Sequence, residues 1–546
     1  MNRREFVTLC AGTAGSFLFS RTRNACARVK FENKTLNMHV GSKQPNIILF
    51  LVDDMGWQDT SVLFHTERTI WNELYKTPNM QRLADQGLRF TNAYAASPVC
   101  SPTRVSLMTG KNPARSHVSD WVGHGIASNR YVKAPNWAQT GLQPGQHTTL
   151  PGILQANGYR TIHVGKAHFG GGGTAGADPT RLGFDINIAG GHTGGPDGSY
   201  FLPWNASRHP GLEDHASGTY ISDALTIEAN KIIDQAVKDE VPFFMNMAHY
   251  AVHSPLSGQG DPDYLGQYKD RPNPEDDYAA LLESMDASLG AILDNLEKHG
   301  IADNTVVIFF SDNGGLSNHS RNANATYTLA NGKTIRYERD RHNMPIKAGK
   351  GSAYEGGMRV PMIVAWAGQK PGGLPCKSWL PITPGSKTEC PVISDDMLPT
   401  VLKIAGVEGA ETTMKGIDGQ DLTPLFRNAS IANPDRAIYF HYPHQWYRDI
   451  GVGLGIQPFT AMRKGDWKLI YFYGDGTQNG QGLDPWFELY NLRDDLSEAH
   501  NLAASQPEKA RTLAAEMNAW MTQVGAQTPV SKATGQSVPL PAVSVL

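Results

Sequence analysis

The chain has 546 residues, enough for two to four domains at about 150 residues each. Hydrophobic residues make up 40% and charged residues 18%, and 49 basic against 52 acidic side chains leave a net charge of −3. This balance excludes a broad polybasic nucleic-acid surface, an acidic tail and a disordered composition. The five cysteines, Cys10, Cys26, Cys100, Cys376 and Cys390, form no CxxC pair, which excludes a disulfide scaffold and a structural zinc site.

The chain opens with paired Arg3-Arg4, and residues 6–20 carry no charge before Arg21. An apolar run of about 15 residues is too short to span a bilayer and suits a signal core. Ala25-Cys26-Ala27 offers small residues for cleavage, so residues 1–27 read as an export signal, of twin-arginine or general secretory type. No other segment approaches spanning length. The mature protein is expected in the periplasm or secreted from a bacterium, without stable membrane insertion.

Four short apolar runs follow a common pattern. Asn46 to Val52 precedes Asp53-Asp54, Arg160 to Val164 precedes Gly165-Lys166, Pro242 to Met247 precedes Ala248-His249, and Thr305 to Phe310 precedes Ser311-Asp312-Asn313. Such runs suit strands covered on both faces. Helical patterns lie at 79–86, 149–157, 220–239 and 277–299. The alternation predicts an α/β fold with a large, mainly parallel sheet between helices, and ligands beyond the carboxyl ends of its strands. After about residue 430 the pattern changes to aromatic strands at 436–446, 459–472 and 486–492, then a helix at 506–524. The expected domains are therefore 40–430, a smaller antiparallel sheet with a packed helix at 431–526, and an extended tail at 527–546.

Within this frame Cys100 stands in Cys100-Ser101-Pro102-Thr103-Arg104, followed by Leu107-Met108-Thr109-Gly110-Lys111. Pro102 can start a helix and Gly110 can end one, which puts Cys100 at an anion-favouring N-terminus with Arg104 one turn on. Alone, such a cysteine is more often buried and inert. The C-x-P-x-R…L-x-T-G-K spacing, however, resembles the signature of the type I sulfatases, in which the cysteine is oxidised to formylglycine; Thr103 replaces the more frequent Ser. The resemblance continues through Asn46–Trp57, Gly158–His168 with Ala167 in a usually aromatic position, Ala251–Pro255, Ser311–Gly315, Gly349–Pro361, Arg463–Leu469 and Glu488–Leu492. The part after the signature, Asn112–Trp121, resembles a bacterial polysaccharide-sulfatase branch.

Asp53, Asp54, Asp312 and Asn313 offer only oxygen ligands, which suit calcium better than zinc; read alone, they also fit caps and turns. The resemblance implies an alkaline-phosphatase-like catalytic fold, and calcium held by these four with an oxygen of modified Cys100. It implies Lys166 and Lys350 as sulfate clamps, Arg104 as stabiliser of the hydrated formylglycine, and His253 as the acid for the leaving oxygen. His168 would take the proton that regenerates the aldehyde. A formylglycine-generating enzyme is the implied maturation partner, and the oligomeric state is open.

The expected substrate is a sulfated carbohydrate, with galactose- or N-acetylgalactosamine-4-sulfate as candidates and His192, Asp197, His342 and His444 as candidate contacts. Alternatives are a phosphonate or phosphate monoester hydrolase of the same superfamily, and a non-catalytic glycan-binding relative. In an exported chain Cys376 and Cys390 are expected to pair, closing a loop of about 15 residues for about 3 kcal/mol, the alternative being two free thiols.

Overall fold

The computed structural model describes residues 44–124, 132–271, 273–316, 326–328, 334–336, 342–407, 416–446, 454–474 and 485–541. The export signal, with Cys10 and Cys26, lies outside the described residues.

One mixed sheet carries nine strands: β1 (Asn46–Val52), β2 (Leu88–Tyr94), β3 (Arg160–Gly165), β4 (Ile186–Ile188), β5 (Phe243–Ala248), β6 (Thr305–Ser311), β7 (Arg359–Trp366), β8 (Ser386–Thr388) and β9 (Val392–Ile393). Its order is β8-β2-β7-β6-β1-β5-β3-β4, with β9 also on β2. Only β7 runs against the others. In β1, Ile48, Phe50 and Val52 enter one core while Ile47, Leu49 and Leu51 enter the other. This two-residue alternation makes the run continuously apolar, because both faces are covered. Helices α1 (Pro78–Gln86), α4 (Ile221–Lys238) and α5 (Glu275–Lys298) pack on the first core. Helices α2 (Cys100–Thr109), α3 (Leu150–Ala156) and α6 (Met397–Ala405) pack on the second.

A separate antiparallel sheet joins β10 (Ala437–Tyr442), β11 (Phe459–Lys464), β12 (Trp467–Phe472) and β13 (Trp486–Asn491) in that order. The aromatic segment 459–472 is thus a hairpin: Lys464 pairs with Trp467, and Gly465 takes φ 57° in the two-residue turn. Helix α7 (Pro507–Val524) buries Leu513, Met517 and Met521 against this sheet. The tail packs as well, since Tyr471 donates its hydroxyl to the Pro539 carbonyl at 2.9 Å. Buried Lys468 ties the small sheet to the large one, contacting Glu355 at 3.0 Å and Glu498 at 2.8 Å.

The expected disulfide is not formed: Cys376 and Cys390 are both free. Cys376 lies exposed, its N–H held by Gln369 at 2.7 Å, while Cys390 is buried in the second core. Strand β8, lying between them in sequence, is anchored on β2 and keeps their surroundings separate.

Candidate active site

Strand register builds the centre. Val52 pairs with Ser311, so Asp53-Asp54 and Asp312-Asn313 leave adjacent parallel strands together. Gly165 pairs with Ala248 on the other side, and the Lys166 N–H donates to the Ala248 carbonyl at 2.8 Å. These are carboxyl ends of strands, where an open α/β sheet presents its ligand site. Helix α2 begins at Cys100, earlier than Pro102, and ends at Gly110 with φ 65°. Its first turn sets Cys100 against the two acidic pairs.

Asp53, Cys100 and Asp312 bring their ligand atoms within 4.8 Å of one another, all buried. Around them lie three buried cations. Lys166 Nζ is 2.6 Å from Asp53, Arg104 Nε is 2.7 Å from Asp312, and Lys350 Nζ is 2.6 Å from Asp54 and 3.5 Å from Cys100 Sγ. Asn313 Nδ2 donates to Asp54 at 2.8 Å. Asp53 Oδ1, Asn313 Oδ1 and Arg104 Nη2 are buried without a hydrogen-bond partner. Unsatisfied carboxylate and amide oxygens facing a carboxylate cluster are the donor set of a hard cation. The site residues therefore fit a divalent metal, with the Cys100 sulfur as the one soft atom.

Burial opposes ionisation of Asp53, and the Asp312 and Asp54 carboxylates add to its upward shift to about 8 against Lys166. Asp54 moves down despite burial, because Lys350 and His253 stabilise its charge. Burial pushes the Cys100 thiol up to about 11. Lys350 stays firmly protonated, since Asp54 outweighs its desolvation.

Two histidines complete the centre. His168, at φ 54°, donates from Nε2 to the Val122 carbonyl at 2.8 Å, which leaves Nδ1 as a buried lone pair without a partner. His253 points Nε2 toward Asp54 at 3.8 Å, and its Nδ1 donates to the Ser254 carbonyl at 2.5 Å. Burial, then Lys350, lowers its pKa to about 3. A Cβ on Gly194 would lie 2.8 Å from the His168 ring, and one on Gly195 would lie 3.3 Å from the His253 ring. The glycine-rich stretch thus covers both rings at contact distance.

The structure brings together Asp53, Asp54, Cys100, Arg104, Lys166, His168, His253, Asp312, Asn313 and Lys350. The expected substrate contacts divide. His192, half-buried, lies beside Gly172 in the glycine-rich stretch, and Asp197 is held by Arg208 at 3.2 Å. His342 and His444 are fully buried, as are Lys166 and His168 of the centre. His342 stacks on Trp71 near Glu275, and His444 sits between Ser119 at 2.8 Å and Asp120 at 3.7 Å.

Residues missed from the sequence lie in the same loop. Asp120 holds His124 Nδ1 at 2.9 Å and accepts the Tyr442 hydroxyl at 3.0 Å, and His124 stacks on Trp121 at 4.7 Å. The Val122 N–H donates to Ser101, while its carbonyl holds His168. The linear signals are proximity to the Cys100 segment and, for Asp120 and Trp121, membership of the Asn112–Trp121 resemblance.

A family model described as Sulfatase matches residues 45–407. The chain belongs to the sulfatase family. A second model, described as N-sulphoglucosamine sulphohydrolase, C-terminal, matches residues 349–527 of this sulfatase. A sulfatase of Formosa agariphila is 27% identical over 92% of this chain and 93% of its own. The N-acetylgalactosamine-6-sulfatase of Homo sapiens is 30% identical, covering 73% of this chain and 68% of the relative. The crystal structure of Ps i-CgsB in complex with k-i-k-neocarrahexaose superimposes with a TM-score of 0.64 at 26% identity, covering 88% of this chain and 93% of that one. The chain is a sulfuric ester hydrolase. Among the described residues no helix is long and apolar enough to cross a membrane.

Proposed function

We propose that this sulfatase removes sulfate from a galactose- or N-acetylgalactosamine-type saccharide outside the cytoplasm, with formylglycine made from Cys100 by a maturation enzyme. The observation that carries the chemistry is the buried group of Asp53, Cys100 and Asp312, ringed by Arg104, Lys166 and Lys350. Asp53, Asp54, Asp312 and Asn313 would hold calcium, and conversion of Cys100 would replace the one soft ligand by oxygen. When bound, the metal supplies Lewis-acid charge for the sulfuryl oxygens, and hydrated formylglycine supplies the oxygen nucleophile.

The remaining work falls to the chain's own side chains. Arg104, Lys166 and Lys350 face Asp53, Asp54 and Asp312, and a divalent ion held there would add to the positive field that draws an anionic ester. Lys166 and Lys350 clamp sulfate oxygens, and their burial keeps water from screening them. Arg104 orients the side chain at position 100 through Nη2, which makes no hydrogen bond and lies 3.8 Å from Asp53. His253 protonates the leaving sugar oxygen from Nε2, and the anionic ester offsets the Lys350 field that otherwise keeps the ring neutral. His168 takes a proton from position 100 at Nδ1, because its other nitrogen is committed to Val122. The Trp121–His124 stack, partly exposed, is a platform for the sugar ring.

Carbohydrate action is supported by the name of the human relative and by the neocarrahexaose of the solved neighbour. The test is sulfate release from defined sulfated sugars by mature protein, with galactose- or N-acetylgalactosamine-4-sulfate expected as substrate and the 6-sulfates as its competitors. Conversion should appear as an intact mass lower by about 18 Da. Cys100→Ala and calcium chelation should each abolish release. Turnover of a simple aryl sulfate without release from any sugar would refute the carbohydrate assignment.

A further inference from the structure

A cavity of about 780 Å³ opens away from the catalytic centre, between the β2 edge of the large sheet and the β11–β12 hairpin of the small one. None of Asp53, Cys100, Lys166, His253 or Lys350 lines it. Its volume is that of a small-ligand pocket. Its walls carry Arg89, Arg359, Lys387, Arg463 and Arg493 against Glu389 and Asp466, a local excess of positive charge in a chain whose net charge is −3.

The carboxylates are used at the rim. Arg493 pairs with Asp466 at 2.6 Å, and Lys387 with Glu389 at 3.6 Å. Of the interior cations, Arg359 pairs with Glu355 at 3.4 Å, whereas Arg463 and Arg89 hydrogen-bond neutral groups alone. Arg463 is 5% exposed and gives Nε to the Gly465 carbonyl at 3.1 Å and Nη1 to the Tyr94 hydroxyl. Its Nη2 makes no hydrogen bond among the described residues, and the Glu355 and Asp466 carboxylates act on it only through space, without an ion pair. Arg89 makes one hydrogen bond, to the Leu63 carbonyl at 2.6 Å, and no ion pair among the described residues. Arg359, its guanidinium 4.0 Å over the Trp57 ring, is already neutralised by Glu355 and donates to the Thr91 carbonyl at 2.8 Å, so it lines the cavity without a free donor role. A desolvated guanidinium with an unused N–H in a cavity calls for an oxyanion, which accepts from the guanidinium fork and cancels its charge.

We propose that this cavity is a second oxyanion site, which takes a sulfate group, either the free ion or a sulfate ester on a saccharide. Arg463 Nη2 and Arg89 are its donors, and the rim pairs admit a polar ligand. The site binds and does not hydrolyse, since among the described residues the only cysteine–carboxylate metal group is that of Asp53, Cys100 and Asp312. Its existence does not depend on which ester the catalytic centre cleaves.

The test uses the full chain carrying Cys100→Ser, so that nothing is turned over. Titration with inorganic sulfate should show two classes of site. Arg89→Gln should weaken one class at least tenfold, leave the other unchanged, and leave kcat/KM for an aryl sulfate unchanged in the mature enzyme. Arg463→Gln should act alike; should it fail to fold, Arg89→Gln and diffraction remain. Crystals soaked in selenate should show an anomalous peak beside Arg463. A saccharide sulfate that binds this class at least tenfold more tightly than inorganic sulfate assigns the site to glycan, and equal binding assigns it to the free ion. A single class of site, a second class untouched by Arg89→Gln, or selenate confined to the catalytic centre would overturn the proposal.

Discussion

Cys100 is surrounded by cations yet held as a thiol, because burial outweighs the pull of Lys166 and Lys350. An unconverted chain therefore has almost no thiolate at neutral pH, and specific activity should follow the converted fraction. At the far side of the ester, His253 has a role that leaving-group chemistry can isolate. A sugar alkoxide needs a proton to depart; a nitrophenolate does not. His253→Ala should lower kcat on a sugar sulfate by about 10²–10⁴-fold and on nitrophenyl sulfate by much less. Equal losses on both would remove the acid role. The acidic pairs were legible because they directly follow buried strands, whereas Cys100, Arg104, Lys166, His168, His253 and Lys350 were legible through the resemblance of their segments to the sulfatases. Asp120 and Trp121 were legible only as part of the Asn112–Trp121 resemblance, and His124 went unread, because only the turn that brings Val122 to His168 gives these residues a place beside the centre.

Between residue and fold stand the strand ends. Gly165 has φ 96°, and a Cβ there would lie 1.9 Å from the Ala248 carbonyl oxygen. The close approach lets Lys166 donate to that same carbonyl and turn its side chain toward Asp53. Gly165→Ala should cost about 1–3 kcal/mol through overpacking and a disfavoured φ, read as a lower urea midpoint. It should also reduce kcat/KM by more than the unfolded fraction explains, because Lys166 is displaced. An unchanged kcat/KM in the folded fraction would show that the clamp tolerates this shift. The same elements show what periodicity could reveal. The runs at 46–52, 160–164, 242–247 and 305–310 were strands within a residue or two, since a two-sided core leaves few polar positions, His163 and Asn246 being buried ones. Strand β7 escaped notice: Pro361 interrupts Arg359–Trp366, and the structure absorbs it in a register shift between Val360 and Met362. Strand β2 escaped because its outward positions, Arg89, Thr91 and Asn92, are polar.

Across the molecule, burial drives titratable groups both ways, so acid response is a balance. His163, His249 and His441 are held neutral, with pKa values lowered by burial to about 3, and His444 to about 4. Burial pushes Asp286 up to about 7, which works in the opposite sense. A single histidine can be separated from this balance by difference. His249 packs its ring 5.0 Å from Phe50 and contacts Ser288 at 3.0 Å, far in sequence from the metal-binding pairs. Its folded pKa is below the unfolded value of 6.5, so the unfolded chain binds the extra proton. The stability it confers is complete above that value, falls as pH drops toward about 3, and is then constant. The stability advantage of the wild type over His249→Gln should therefore shrink by about 1.4 kcal/mol between about pH 7.5 and 5.5, from urea titrations at both. An advantage that stays constant would mean that His249 protonates within the fold, and that the first core admits a charge where its packing against Phe50 says it cannot.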